Sequence, residues 1–261
     1  QSLVSEVLNF PVDKSETRSD WLKRPLTDKQ LAYAAKDAEY LILLHQALES
    51  ALVEKDLLSS VFAEASNILQ QTKLTWAHPE IAYLKLRGAY ELPLTRQRLL
   101  QKLVIWRDQK AQSADVPKPW VFSDKHLTQI AEFIPKNIAE LRKNKDIKPK
   151  SIRLYGEELL KQISEFNALN NEVDADFIAI DRPVKGRELK LFKQLKEVVN
   201  NVAEKTGIAP QLLGPRKMLE NVVIHVVRNQ EQDLPFEFRN WRKPLMAEKF
   251  LAILEHESSQ A

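Results

Sequence analysis

Residues 13–37, DKSETRSDWLKRPLTDKQLAYAAKD, are the most informative stretch of the chain, because they contain a clear helix start followed by a polar pair in an apolar pattern. Thr27 precedes the helical pattern as an N-cap, and Gln30 at the third helical position completes a capping box. Leu26 and Leu31 are spaced to form a hydrophobic staple. The segment therefore predicts a helix that starts at Thr27.

Beyond this start, apolar side chains recur with a period of about 3.5, and Tyr33, Asp37, Tyr40 and Leu44 form a second stripe. A helix that is apolar on most sides is expected to be buried. An ionised carboxylate that leaves water needs a compensating partner. We therefore expect Asp37 to be buried next to a cation.

Tyr33 and Asp37 lie four residues apart, so a phenol and a carboxylate project from one helical face. This arrangement suits phosphodiester hydrolysis, in which carboxylates hold two divalent ions and a nearby hydroxyl positions the attacking water. The alternative is purely structural: a buried Asp37 paired with an arginine, and Tyr33 packed in a core. Taken by itself, the pair favours the structural alternative.

The whole segment resembles the third exonuclease motif of the ribonuclease D family, including Ser19-Asp20-Trp21, Arg24-Pro25-Leu26, Gln30 and the Tyr-x-x-x-Asp spacing. This resemblance implies a DEDD exonuclease of the tyrosine subclass, with an RNase H-like α/β catalytic domain and Mg²⁺ or Mn²⁺ as cofactor. Asp37 would be a metal ligand, and Tyr33 would orient the nucleophilic water. Lys14 and Arg24 are candidate phosphate contacts.

The sequence departs from the family pattern at its other metal-binding carboxylates. The family places these on an earlier Asp-x-Glu and an earlier Asn-x-x-x-Asp, and neither motif occurs before Asp13. We therefore expect an N-terminally truncated member of the family whose active site, in the chain as given, is incomplete.

Composition excludes several classes of function. The 261 residues include no cysteine, which removes disulfides, thiolate metal sites and cysteine nucleophiles. There is no apolar run of membrane-spanning length and no signal-peptide pattern at the N-terminus, so we expect a cytoplasmic protein without a membrane partner. Scarce glycine and little strand-like alternation predict a mostly helical chain from about residue 27 onward.

Two polar, poorly periodic stretches, residues 66–80 and 170–183, are predicted to be linkers, which divides the chain into parts at 1–68, 81–166 and 187–257. The middle part has 17 Lys and Arg against 10 Asp and Glu, a net charge of +7, whereas the third part is close to neutral. A block this basic predicts a polyanion partner. A solvated, lysine-rich surface is the alternative.

The middle part resembles the helicase-and-ribonuclease-D C-terminal (HRDC) domain, a small helical bundle that binds nucleic acid, through Trp106-Arg107-Asp108, Asp115-Val116-Pro117 and Tyr155-Gly156-Glu157. Its best candidates for phosphate contacts fall in one twelve-residue stretch, with a soluble loop as the alternative. These residues are Arg142, Lys143, Lys145, Lys148, Lys150 and Arg153.

The third part resembles a second HRDC domain in the run GIAPQLLGPRKMLE, residues 207–220. Gly207 is predicted to end one helix and Pro215 to open the next. Two such domains after an exonuclease motif favour the bacterial branch of the family over its eukaryotic relatives.

The expected fold is mostly α: the C-terminal part of an RNase H-like exonuclease domain followed by two HRDC bundles. The expected function is a metal-dependent 3′→5′ exoribonuclease for structured RNA such as tRNA precursors, with no protein partner predicted. The alternative is a non-catalytic nucleic-acid-binding module such as the tail of a RecQ-type helicase, which would have no reason to contain Tyr33 and Asp37. A helical scaffold is a further alternative, but it does not explain the capped helix with its carboxylate.

Overall fold

The computed structural model describes residues 2–86, 88–168 and 177–258, and its chain divides into two compact units, Gln1–Asn67 and Ile68–Ala261. Within these described ranges the regular elements are all helical, with no β-strand. This confirms the prediction of a mostly α chain.

The first unit contains α1 (Ser2–Leu8), a loop, α2 (Asp28–Glu54) and the start of α3 (Leu58–Ala77). Thr27 is the N-cap of α2, and the reciprocal bonds between Thr27 and Gln30 confirm the capping box. Helix α3 continues without interruption to Ala77, so the expectation of an irregular linker at residues 66–80 is wrong, although the boundary between the two units falls within that stretch. The stretch is polar, but its Gln, Lys and Leu residues are good helix formers, and it has no glycine or proline before Pro79.

The expectation that α2 is buried is also wrong. Only Gln30 and Leu44 of its 27 residues are buried, and Leu41 and Ile42 are 65% and 62% exposed. The physical reason is a shortage of packing partners, since the first unit offers α2 one short helix, a loop and the start of α3. Apolar periodicity shows which faces can be buried, whereas burial itself requires other elements to cover them.

The second unit begins with two 3₁₀ turns, Pro79–Lys85 and Ala89–Glu91, and continues with a helical bundle. Its helices are α4 (Leu94–Ser113), α5 (Lys118–Val121), α6 (Asp124–Phe133), α7 (Ile138–Leu141) and α8 (Pro149–Ala168). Ser123 caps α6 as predicted. Leu99, Leu103, Leu127 and Leu159 are fully buried in the shared core.

A buried arginine ties this bundle together. The Arg107 guanidinium on α4 donates to the carbonyl of Phe122 at 3.0 Å, to Asp124 at 2.9 Å and to Asp108 at 2.6 Å. Gly156 on α8 provides a close helix approach, because a Cβ there would lie 2.8 Å from the Cδ1 atom of Ile138 on α7. The Trp-Arg-Asp and Tyr-Gly-Glu motifs therefore have structural roles in the bundle.

Residues 169–176, the first part of the second predicted linker, lie outside the described residues. Residues 177–183 form no helix and run against the first bundle. The Tyr83 hydroxyl donates to the Ile178 carbonyl, and the Tyr83 and Phe177 rings stack with centroids 5.6 Å apart. This part of the connection is fixed by side chains of the bundle that precedes it.

The second bundle contains α9 (Arg187–Thr206), α10 (Pro210–Leu213), α11 (Arg216–Val223) and α12 (Glu248–Ser258). Between α11 and α12 lie π-helical turns at Ile224–Arg228 and Lys243–Ala247 and a 3₁₀ turn at Phe236–Phe238. Gly207 ends α9 in a left-handed conformation (φ +69°), and α11 follows Pro215, as both were predicted.

Across the described residues, no helix combines the length and the apolarity required to cross a membrane.

Candidate functional site

The loop before α2 is organised by short hydrogen-bonded turns. The Asp13 carboxylate accepts from the backbone N–H and the hydroxyl of Ser15, both at 2.9 Å. These bonds, the backbone one first, lower the pKa of the Asp13 carboxyl below its usual range. The Asp13 carboxylate is therefore held ionised and in a defined position at the start of the motif.

Gln30 connects this loop to the helix. Its side-chain nitrogen donates to the Ser19 hydroxyl at 3.2 Å and to the Asp20 carbonyl at 3.1 Å, while its oxygen accepts from the Thr27 backbone N–H at 3.0 Å. The Trp21 indole N–H donates to the Glu16 carbonyl at 3.0 Å. One buried amide therefore caps α2 and holds the loop against it.

Tyr33 and Asp37 lie one turn apart on α2, as their spacing predicted. The Tyr33 ring packs against Trp21 with centroids 5.9 Å apart, and its hydroxyl lies 3.3 Å from the Thr17 hydroxyl. Tyr33 is half-buried, whereas Asp37 is exposed, which corrects the expectation of a buried carboxylate. Asp37 remains in water because the face of α2 that bears it is not covered within the first unit.

Both side chains line one cavity of about 310 Å³, called here the motif cavity. The other polar or aromatic residues that line it are Asp13, Ser15, Glu16, Lys29, Lys36 and Tyr40. Sequence reasoning named none of these as site residues, although it placed Tyr40 on the same stripe as Tyr33 and Asp37. The spacing of Lys29, Tyr33, Lys36 and Tyr40 along one helical face was the signal available for the α2 members.

The motif cavity does not form a complete metal site. In the described part of the chain, no three side chains of His, Cys, Asp or Glu are grouped so that they could hold a metal ion. Lys29 and Lys36 share the cavity with the carboxylates and oppose their charge. The donor set on these residues therefore does not fit a pair of divalent ions.

The two candidate phosphate contacts near the motif lie in the loop before α2. Lys14 and Arg24 are both exposed. The Arg24 guanidinium donates to the carbonyls of Trp21 and Lys23 at 2.8 and 3.1 Å. Arg24 therefore supports the backbone of the loop.

The basic stretch of residues 142–153 follows α7 and enters α8, and its six basic side chains are all exposed. Within the described ranges, none of the six is paired with a carboxylate. The acid within the stretch, Asp146, is paired with Lys125 at 2.5 Å, and this contact lowers the pKa of the Asp146 carboxyl. Asp146 is thus neutralised from α6, and the positive charge of the stretch remains available to a ligand.

Comparison with known proteins matches three consecutive parts of the chain. Residues 1–53 match the 3′-5′ exonuclease family, residues 96–163 the HRDC domain, and residues 189–250 the C-terminal HRDC domain of ribonuclease D.

Full-length relatives match across almost the entire chain. Ribonuclease D of Pseudomonas paraeruginosa is 30% identical over 97% of this chain and 66% of its own length. Ribonuclease D of Serratia proteamaculans is 30% identical over 97% of this chain and 68% of its own length. The chain thus spans about two thirds of the length of the curated relatives it matches.

The crystal structure of Escherichia coli RNase D, described as an exoribonuclease involved in structured RNA processing, superposes with a TM-score of 0.79. The two chains are 29% identical, and the match covers 98% of this chain and 68% of the E. coli chain.

Proposed function

Because this chain belongs to the ribonuclease D family, we propose that it acts within a 3′→5′ exoribonuclease that removes nucleotides from RNA 3′ ends by hydrolysis. The observation that most supports this proposal is the Tyr33–Asp37 pair, which lines the motif cavity inside the residues that match the exonuclease family. A helicase tail has no use for such a pair.

Asp37 and Tyr33 have separate proposed roles. Asp37 is proposed as one carboxylate ligand of a divalent ion, Mg²⁺ or Mn²⁺, in a two-metal site. Tyr33 is proposed to orient the attacking water through its hydroxyl, which the Trp21 contact holds at the cavity wall. The described residues of this chain do not supply the remaining ligands.

The RNA-binding residues are proposed on the basis of exposure and charge. Within the second unit they are the six basic side chains of residues 142–153, which have no carboxylate partner among the described residues. Near the motif they are Lys14 and Arg24, the latter through donors not used by the loop backbone. Phosphate contacts of this kind position RNA without reading its sequence.

The finer assignments belong to the same proposal. We propose an exonuclease part at residues 1–68 and HRDC domains at 81–166 and 187–257, a division supported by the family matches. Structured RNA, including tRNA precursors, is the proposed substrate, supported by the description of the E. coli relative. A cytoplasmic location is part of the same proposal.

The proposal can be tested on the 261-residue chain with RNA labelled at its 5′ end. We expect this polypeptide to bind single-stranded RNA but to show negligible trimming with Mg²⁺ or Mn²⁺, because its carboxylates do not complete a two-metal site. Stepwise 3′ trimming that a chelator abolishes would show that the site is complete after all. Absence of RNA binding at low salt would contradict the proposed function itself.

A further inference from the structure

The first bundle has a groove that its core does not fill, called here the Phe133 groove. Its floor is formed by the buried side chains of Ile130, Leu141 and Ile147, and the Phe133 side chain forms one wall. The groove has a volume of about 520 Å³, within the range of about 300–1,000 Å³ that is usual for small-molecule sites. An apolar floor of this size can accept a planar group.

Phe133 is 74% exposed although it belongs to a bundle with a large apolar core. It is the last residue of α6, and Ile134 ends the helix in a left-handed conformation, with φ +48°. A β-branched residue rarely adopts this conformation. The chain therefore turns sharply at Ile134, which is poorly suited to the turn. The ring of Phe133 is left in solvent at the edge of the groove.

The rim of the groove is cationic. Lys143 and Lys145 line it, both exposed and, among the described residues, without a carboxylate partner. Asp146 also lines the groove, but its charge is paired with Lys125 at 2.5 Å. Glu140 lines the groove as well, and its carboxylate accepts from the Lys136 backbone N–H at 2.8 Å.

Two amides add fixed polar groups to the same rim. The Asn144 side-chain nitrogen donates to the Gln129 side-chain oxygen at 2.9 Å, and the Asn144 oxygen accepts from the Asp146 backbone N–H at 3.1 Å. The second hydrogen of the Asn144 amide is not used by the Gln129 bond. An exposed aromatic face, unpaired lysines and a positioned amide thus surround a single groove.

We propose that the Phe133 groove binds one nucleotide of single-stranded RNA, with the base stacked on Phe133 and the adjacent phosphates paired with Lys143 and Lys145. Charge complementarity with these lysines favours a nucleotide over an apolar peptide, which would leave both lysines unused. The inference rests on the proposed RNA-binding function and refines it: part of the affinity depends on bases, in addition to the phosphates that residues 142–153 attract. Stacking is tolerant of sequence, because every base has a π face.

The test uses the full chain and two short 5′-labelled probes, an oligoadenylate and an abasic ribose-phosphate oligomer of equal length, measured by fluorescence anisotropy at fixed salt. Phe133→Leu keeps an apolar side chain but removes the aromatic ring. We expect it to weaken oligoadenylate binding by about 5- to 160-fold, the usual contribution of one base stacked on an aromatic residue. Affinity for the abasic probe should not change.

Phe236→Leu is the matched control, because Phe236 lies in the second bundle and is 41% exposed. This control should leave the affinities for the oligoadenylate and for the abasic probe unchanged. A second variant combines Lys143→Gln with Lys145→Gln and should lower the affinity for both probes equally. It should also flatten the slope of log affinity against log salt by about 1.4, the contribution of two phosphates. Circular dichroism melting of each variant reports whether the bundle is intact.

The outcomes separate the two levels of inference. Unchanged oligoadenylate binding by Phe133→Leu, with normal binding by the parent chain, overturns the groove proposal and leaves the proposed function in place. An equal loss of affinity for both probes also overturns the groove proposal, because Phe133 would then act on the structure of the surface. Self-association that Phe133→Leu abolishes would identify a second copy as the occupant. If the parent chain binds neither probe, the proposed function fails as well.

Discussion

The Gln97 side-chain oxygen accepts a 2.8 Å hydrogen bond from the backbone N–H of Ile180, 83 residues further along the chain. The Gln97 side-chain nitrogen donates to the Leu92 carbonyl at 2.8 Å, so one buried amide satisfies two backbone groups. This bond fixes the segment that leads out of the first bundle towards α9.

Replacement of Gln97 with Leu should therefore lower the free energy of unfolding by about 1–3 kcal/mol, because it leaves a buried backbone donor and a buried acceptor without partners. Chemical denaturation followed by circular dichroism measures the change. Gln112→Leu on the same helix is the control, since Gln112 is exposed. Equal stability of both variants would mean that the Ile180 N–H finds another partner.

The second bundle contains a carboxylate clamped by two guanidiniums. Glu188 pairs with Arg228 at 2.7 Å and with Arg182 at 2.8 Å. The hydrogen bond from Arg228 is the main reason that the pKa of Glu188 falls to about 2 from its usual 4.5. Since the folded pKa is depressed, the native state is stabilised above pH 4.5, and this contribution is lost as the pH falls towards 2.

We expect Glu188→Gln to lower the free energy of unfolding by about 1–2 kcal/mol at neutral pH, with the deficit shrinking as the pH approaches the folded pKa. Urea titrations across this range measure the effect. Glu197→Gln on the same helix is the control, because Glu197 is exposed. A deficit that stays constant down to the lowest pH would show that the charge of Glu188 is not the cause.

Mutation should separate the roles of Asp37 and Tyr33 in any longer protein that joins these residues to the two earlier carboxylate motifs of the family. Asp37→Asn should abolish turnover and leave RNA affinity nearly unchanged, because a metal ligand is lost and no RNA contact is removed. Tyr33→Phe should lower kcat and retain metal binding, as measured by calorimetry with Mn²⁺. Near-normal turnover by Asp37→Asn would contradict its role as a ligand.

The basic stretch should determine the salt dependence of RNA binding. Each lysine that neutralises a phosphate adds about 0.7 to the slope of log affinity against log salt for single strands. Replacing Lys145, Lys148 and Lys150 with Gln should therefore flatten the slope by up to about 2, similarly for all sequences.

The matched control is the triple change to Gln at Lys190, Lys193 and Lys196 on α9, which are also exposed. It should have much less effect, because the third part of the chain is close to neutral and therefore concentrates phosphates less. Equal effects of the two triple variants would indicate diffuse binding over the whole surface.

Local features of the sequence were sufficient to predict where several helices start and stop. The Thr27–Gln30 capping box, the Ser123 cap, the left-handed Gly207 and the helix after Pro215 are all found where the sequence predicted them. Such signals act between residues a few positions apart, so the chain segment itself contains the whole interaction. The Tyr33–Asp37 pair on one helical face follows from helix geometry in the same way.

Only the tertiary structure decided which side chains are buried and how far each helix continues. The sequence predicted a buried Asp37, but the carboxylate is exposed because no other element covers that face of α2 in the first unit. It predicted a linker at residues 66–80, where α3 continues to Ala77. The bond between Gln97 and Ile180 and the pairing of Asp146 with Lys125 had no sequence signal. Each joins residues that only the tertiary packing brings within reach, so local patterns contain no information about them.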